Sequence, residues 1–152
     1  MIIGVISDTH GPISADILDA LRGVDHILHA GDIVSLDVIP ALQTIAPVTA
    51  VWGNMDTVEL MPGLKKTAAL KLGKHLFYIL HDLSFLDLVP DVAGISAVIH
   101  GHTHRADIEW RDDVLFLNPG SAGQPRYGLP ASVALIEMSG DKLNPKIVKL
   151  PR

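Results

Sequence analysis

Five short apolar runs each lead into a polar residue of a kind that binds metal ions, and this recurrence narrows the choice of fold more than any other property of the chain. Ile2 to Ile6 leads to Asp8, with His10 two residues on; Ile27 to Ala30 leads to Asp32; Val48 to Trp52 leads to Asn54. Leu76 to Leu80 leads to His81, and Ile95 to Ile99 leads to His102 and His104. Runs of this length read as buried strands. In open α/β folds the polar groups of a site gather beyond the carboxyl ends of strands, where backbone reversals let separate segments converge. Taken singly, an Asp-x-His pattern arises by chance, a Gly-Asp is usually a turn, and a His among apolar neighbours is usually packed in a core. Five independent turn or core residues would have no reason to share one placement, so together they read as a metal site.

Carboxylate, amide and imidazole donors suit borderline to hard divalent ions such as Mn, Fe, Zn or Co. The chain contains no cysteine, which removes the usual thiolate-rich structural zinc site and points to a catalytic centre. His102 and His104 are two apart; in extended backbone their rings would project to one side and face one metal pair.

These donors lie within the blocks Ser7-Asp8-Thr9-His10-Gly11, His29-Ala30-Gly31-Asp32, Gly53-Asn54-Met55-Asp56, His81, Gly101-His102-Thr103-His104 and Asn118-Pro119-Gly120-Ser121. On them the chain resembles the calcineurin-like metallophosphoesterases, specifically the small single-domain bacterial and archaeal phosphodiesterases, from Met1 to about Gly128. The resemblance implies an α/β fold, a four-layer α/β/β/α sandwich of two mixed sheets flanked by helices. It also implies two divalent ions, Mn first, with Zn, Fe, Ni or Co as alternatives. Asp8, His10 and His104 would hold one ion, Asn54, His81 and His102 the other, and Asp32 would bridge them. Asp32, Asn54 and His102 are the expected catalytic members, around a bridging hydroxide that attacks phosphorus in line with the leaving oxygen. Two divalent ions against Asp8, Asp32 and that hydroxide leave one net positive charge, which suits a phosphodiester monoanion or a phosphomonoester.

Two positions depart from the family pattern. Many relatives have a His after the metal-binding Asn, close to the leaving group; here it is Met55, which donates no proton, so cleavage of alkyl phosphomonoesters is disfavoured. Relatives often have a Gly after the ligand His, where this chain has Asp82, a carboxylate that either orients a ligand imidazole or caps a solvated turn. Arg126, and less strongly Arg105, are expected phosphate contacts, with a surface ion pair as the alternative. His29 and His100 read as supporting or strand-packing histidines, and His26 and His75 as surface residues. The leading function is phosphodiester hydrolysis of a small ester. Phosphomonoesterase, nuclease and a protein-binding scaffold on the same fold are the alternatives.

At 152 residues, 48% of them apolar, the chain is expected to form one domain over 1–152 with a substantial core. Seventeen acidic against 12 basic residues give a formal net charge of −5, which argues against an extended nucleic-acid surface. The apolar runs are strand-sized, well short of the roughly 20 residues of a membrane span. No basic leader precedes Asp8, and with no cysteine the expected location is the cytoplasm, the partner a small phosphate ester, with homo-oligomerisation open.

The pattern predicts strands at 1–7 and 25–29, helices at 14–22 and 35–45, and a hairpin of 67–72 with 75–80 about Gly73-Lys74. A short helix near 85–89 follows. Further strands are predicted at 95–99, 107–111, 114–117, 132–138 and 143–150, with turns at Asp112-Asp113 and Gly140-Asp141.

Overall fold

The structure is a computed structural model that describes residues 1–57, 62–123, 125 and 127–151. It contains strands β1 (Ile2–Ile6), β2 (His26–His29), β3 (Val48–Ala50), β4 (Thr67–Leu72), β5 (His75–Leu80), β6 (Ala97–Ile99), β7 (Asp107–Arg111), β8 (Val114–Asn118), β9 (Ser132–Ser139) and β10 (Lys142–Lys149). Two helices, α1 (Ala15–Ala20) and α2 (Val38–Gln43), lie between the first three strands, and a 3₁₀ turn spans Leu83–Phe85. One sheet runs β10-β9-β1-β2-β3 and the other β4-β5-β6-β8-β7. The C-terminal hairpin therefore returns to the first sheet, where β9 pairs antiparallel with β1 in the register Ile3–Ile136.

Alternation along β1 explains the layering. Ile3 and Val5 pack between the sheets with Leu28, Phe77, Ile79, Ile99, Leu117 and Ile136. Ile6 faces the other way, onto Ile17 and Leu21 from the first helical segment and Val38 and Leu42 of α2. A strand buried on both faces needs the near-continuous apolar run that the sequence shows. The second sheet's outer face is covered by Leu83, Leu86 and Leu88, packed on Leu80, Val98, Val114 and Phe116. Among the described residues, that fourth layer is a 3₁₀ turn and irregular chain; it lies slightly before the predicted helix at 85–89. Asp112 and Asp113 both have positive φ, the conformation a two-residue hairpin turn requires.

The second helix is shorter than its apolar spacing predicts, and Pro40 is the reason. A helix started from Ser35 would need residue 40 to donate an N–H to the carbonyl of Leu36, and proline has none. Starting at Val38 places Pro40 in the first turn, where no such donor is required, and Ala41 gives the first bond, to Asp37 O at 3.1 Å. The first helix is capped as expected: Ser14 Oγ accepts from Ile17 N–H at 3.3 Å.

Strands β1, β2 and β3 run parallel, as do β5, β6 and β8. Their carboxyl ends bring the loops that carry the predicted metal donors to one rim of the sandwich, on both sides of the seam between sheets. None of the described helices is long and apolar enough to cross a membrane.

Candidate metal centre

The chain reverses sharply as it leaves each strand. Five of the seven predicted donors have left-handed backbone: Asp8 (φ 54°), His10 (49°), Asp32 (58°), His102 (73°) and His104 (63°). For residues with a Cβ this costs roughly 1–2 kcal/mol each, strain that persists only where surrounding contacts impose it. The contacts are visible: Asp8 N–H donates to Gly31 O at 2.9 Å, His10 N–H to Asp32 O at 3.1 Å, and Gly101 N–H to His81 O at 2.9 Å. Glycine is required where backbone presses on a carboxylate. A Cβ on Gly53 would collide with Asp32 Oδ1, and one on Gly101 with Ser7 Oγ and Asp8 Oδ2. The extended geometry expected for His102 and His104 is not found. Both lie in a turn, and their rings diverge, His104 toward Asp8 and His102 toward Asn54.

The donors form two groups that share one carboxylate. His10 and His104 are stacked with ring centroids 5.3 Å apart, and their Nε2 atoms lie 3.7 and 3.5 Å from Asp8 Oδ1. On the other side Asn54 Oδ1 is 3.0 Å from His81 Nε2 and 3.1 Å from His102 Nδ1. Asp32 Oδ2 stands between the groups, 3.5 Å from His10 Nε2 and 3.2 Å from His81 Nε2.

The donor chemistry fits cations. Asp8 Oδ1 and His10 Nε2 are buried without a hydrogen-bond partner, although they face each other. Asp8 Oδ2, by contrast, is held by Ser7 Oγ at 2.7 Å and His102 N–H at 3.1 Å, so only the oxygen facing the histidines is left open. His81 Nδ1–H donates to Ala30 O at 2.7 Å, which turns the Nε2 lone pair toward two oxygen acceptors. Only a proton or a cation can reconcile those three atoms. Burial alone would lower the His81 pKa, yet hydrogen bonding and charge from Asp32, with Asp8 behind it, hold it above the ordinary value. Burial would raise Asp32, but bonds from His81 and from Met55 N–H, the latter 2.8 Å, hold it low.

The loops are held from behind by residues whose roles the sequence did not reveal. Asp56 is buried and accepts from Ile33 N–H (2.9 Å), Val34 N–H (2.8 Å) and Gly53 N–H (2.8 Å), tying the loop after Asp32 to the one carrying Asn54. It also grips Val34 at φ 68°, a strained conformation for a β-branched residue. In sequence Asp56 looks like a turn residue; only its place beside Asn54 hinted otherwise. Asn118 Nδ2 donates to Gly101 O at 3.1 Å and Thr103 Oγ1 at 3.0 Å, fixing the turn between His102 and His104.

His29 is fully buried, as its packing role predicts. Its Nδ1 accepts from Gly31 N–H at 3.1 Å, so Nε2 carries the proton toward Thr9 Oγ1 at 3.2 Å. Burial, with His81 nearby, pushes its pKa down to about 3. Burial likewise lowers His100 to about 4. His75, predicted at the surface, is buried and bonded through Nδ1 to Ser96 Oγ at 3.1 Å, because it shares the inward face of β5 with Phe77; His26 is half-buried against Thr49. Asp82 caps its turn, Oδ1 accepting from Ser84 N–H at 3.0 Å, while Oδ2 lies 3.6 Å from His102 Nε2, beyond hydrogen-bond distance. Met55 is exposed beside the cluster, Arg105 is exposed on its turn, and Arg126 lies outside the described residues.

The chain is similar to known proteins over most of its length. A profile of the calcineurin-like phosphoesterase superfamily domain matches residues 1–141. A probable metallophosphoesterase of Methanothermobacter thermautotrophicus is 38% identical over 160 aligned residues, covering 98% of this chain and 92% of that one. The phosphodiesterase MJ0936 of Methanocaldococcus jannaschii is 32% identical, covering 86% and 89%. Among solved structures, a single mutant of Vps29 from Entamoeba histolytica superposes with a TM-score of 0.77 at 25% identity, over 98% of this chain and 99% of that one.

Two outcomes follow from the geometry. Asp56→Asn replaces a carboxylate acceptor by an amide that must turn an NH₂ toward at least one backbone donor. It should cost about 1–3 kcal/mol in urea unfolding of chelator-treated protein and weaken Mn binding by calorimetry; an unchanged midpoint would show that the three bonds do not hold the loops. The second concerns pH. His29 and His100 are neutral when folded but titrate near 6.5 when unfolded, so the unfolded state binds more protons below that pH. The contribution of these two histidines is full above about pH 6.5 and falls toward pH 4, by up to about 1.4 kcal/mol per pH unit for each. His81 is shifted upward and acts in a different window: its contribution is full below about pH 6.5 and is lost as the pH rises through its raised pKa, so it does not change the fall toward pH 4. Chelator-treated protein should show the fall, and His100→Gln should reduce its slope; a flat profile from pH 7 to 5 would contradict the buried neutral histidines.

Proposed function

The chain belongs to the calcineurin-like phosphoesterase superfamily and is a metal-dependent phosphoester hydrolase, and on that premise we propose that it is a dinuclear phosphodiesterase acting on a small ester. The observation that carries this reading is Asp32 Oδ2, poised between a nitrogen of each donor group at 3.5 and 3.2 Å. In this reading Asp8, His10 and His104 would hold one ion, Asn54, His81 and His102 would hold the other, and Asp32 would serve both. Mn suits the oxygen and imidazole donors, with Zn, Fe, Ni or Co as alternatives. Such a pair, when bound, supplies Lewis-acid stabilisation of phosphoryl charge and a water nucleophile at neutral pH.

The chain's own residues supply position and charge. Asp8 and Asp32 are the only carboxylates among the seven donors, so two divalent ions are under-neutralised and an anionic ester is attracted. Ala30 O fixes the His81 tautomer and Ser7 fixes the Asp8 rotamer, so neither needs to reorganise as charge develops. Asp82 adds negative charge 3.6 Å from His102 Nε2. Met55 brings no proton to the departing oxygen, which favours esters with good leaving groups.

Loaded with Mn, the protein should hydrolyse bis(p-nitrophenyl) phosphate, and chelation should abolish the activity. Asp32→Asn should lose more activity than Asn54→Ala, because it removes a charge shared by both ions. Fewer than one bound ion per chain at Mn saturation would sink the dinuclear reading, and equal losses in the two variants would sink the bridge.

Met55 offers an independent test, since its exposed side chain permits substitution. Met55→His should raise hydrolysis of esters with poor alkyl leaving groups while barely changing good aryl ones. General-acid assistance is worth about 10² to 10⁴ at best, and a partial gain is expected. The measurement is log rate against leaving-group pKa at fixed Mn and pH; parallel lines would mean that another group already donates the proton.

A further inference from the structure

A cavity of about 430 Å³ opens directly against the donors Asn54 and His81, and its walls include Trp52, Tyr78, Phe85 and Lys66. The chain has only three Phe, two Trp and two Tyr. Phe77 and Phe116 are buried in the cores, so three of the five remaining aromatic side chains surround this one space. Trp52 is held in place by its indole N–H, which donates to Leu64 O. Phe85 is 78% exposed although the neighbouring Leu83 and Leu86 of the same segment are packed against the core. A large apolar ring in solvent beside the candidate metal centre leaves burial energy that a bound ligand would recover. Asp82 and Asp87 also line the space, so it is apolar with a few charged groups and falls within the size range of small-molecule sites.

Resting on the phosphodiesterase reading above, we infer that this cavity receives a flat aromatic group of the ester, either a simple aryl ring or a nucleobase, while the phosphate lies against the metal centre. Aromatic walls favour a flat ring over an alkyl chain, because offset or edge-to-face ring contacts add to the gain from area alone. Lys66 and Asp87 provide an acceptor-seeking and a donor-seeking group for a heterocycle edge, which an unsubstituted aryl ring would leave unused.

The test is calorimetric titration of the Mn-loaded protein with three non-hydrolysable phosphonates: methylphosphonate, phenylphosphonate and the 5′-phosphonate analogue of adenosine monophosphate. At least one aromatic ligand should bind about tenfold tighter than methylphosphonate, and Phe85→Ala should compress that ratio to about threefold. A Trp110→Phe protein, with Trp52 as its only tryptophan, should show fluorescence quenching by the aromatic ligand and none by methylphosphonate. An adenosine advantage equal to or above the phenyl one identifies a nucleobase; a phenyl advantage alone identifies an aryl ester. If methylphosphonate binds and no aromatic ligand gains, or if the gain survives Phe85→Ala unchanged, the cavity assignment is overturned while the metal reading stands. If no phosphonate binds and bis(p-nitrophenyl) phosphate is not cleaved, the phosphodiesterase reading fails and takes the assignment with it.

Discussion

Two carboxylates lie buried in the seam between the sheets, Asp8 at 0% and Asp32 at 2% exposure, both reaching toward His81 Nε2. Like charges taken out of water cost several kcal/mol each unless a compensating charge is supplied. The imidazoles supply it in one state, through protonation that Asp32 and Asp8 favour at His81, and a cation supplies it in the other. Much of the local structure follows from tolerating that arrangement. The left-handed turns aim the donors inward, Gly53 and Gly101 let backbone touch the carboxylates, and Asp56 binds the two flanking loops so that the strain is borne by the scaffold.

The donors were legible because strand ends leave a simple signature. An apolar run followed by a ligand-type residue survives in one dimension, and repeated five times it marked five strands of the two sheets, whose ends bring the candidate donors together. The hairpin at Gly73-Lys74 and the Asp112-Asp113 turn were readable for the same reason, since turn chemistry is local. The family profile matches residues 1–141, and the relative from Methanothermobacter thermautotrophicus aligns over 98% of the chain.

What escaped the sequence depends on contacts between distant segments. Asp56 resembles any turn carboxylate until the loop after Asp32, more than twenty residues away, supplies its partners. His75 looks polar and therefore exposed, but the period of its strand places it with Phe77. The divergence of His102 and His104 arises from left-handed φ values that sequence spacing alone cannot distinguish from extended chain. The aromatic cavity draws Trp52 from the first sheet's last loop and Tyr78 and Phe85 from the second sheet and its cover, residues that share no pattern along the chain.

Folding and function are coupled by where the donors originate. Asp8, His10, Asp32 and Asn54 follow strands of the first sheet, whereas His81, His102 and His104 follow strands of the second. Neither sheet alone assembles a donor group: Asp8 and His10 need His104, and Asn54 needs His81 and His102. A cation bound by either group would therefore also favour docking of the sheets, adding to the apolar layer between them. That dependence accounts for a donor cluster placed across the seam, where a bound cation would tie the two sheets together at the rim that holds the buried carboxylates.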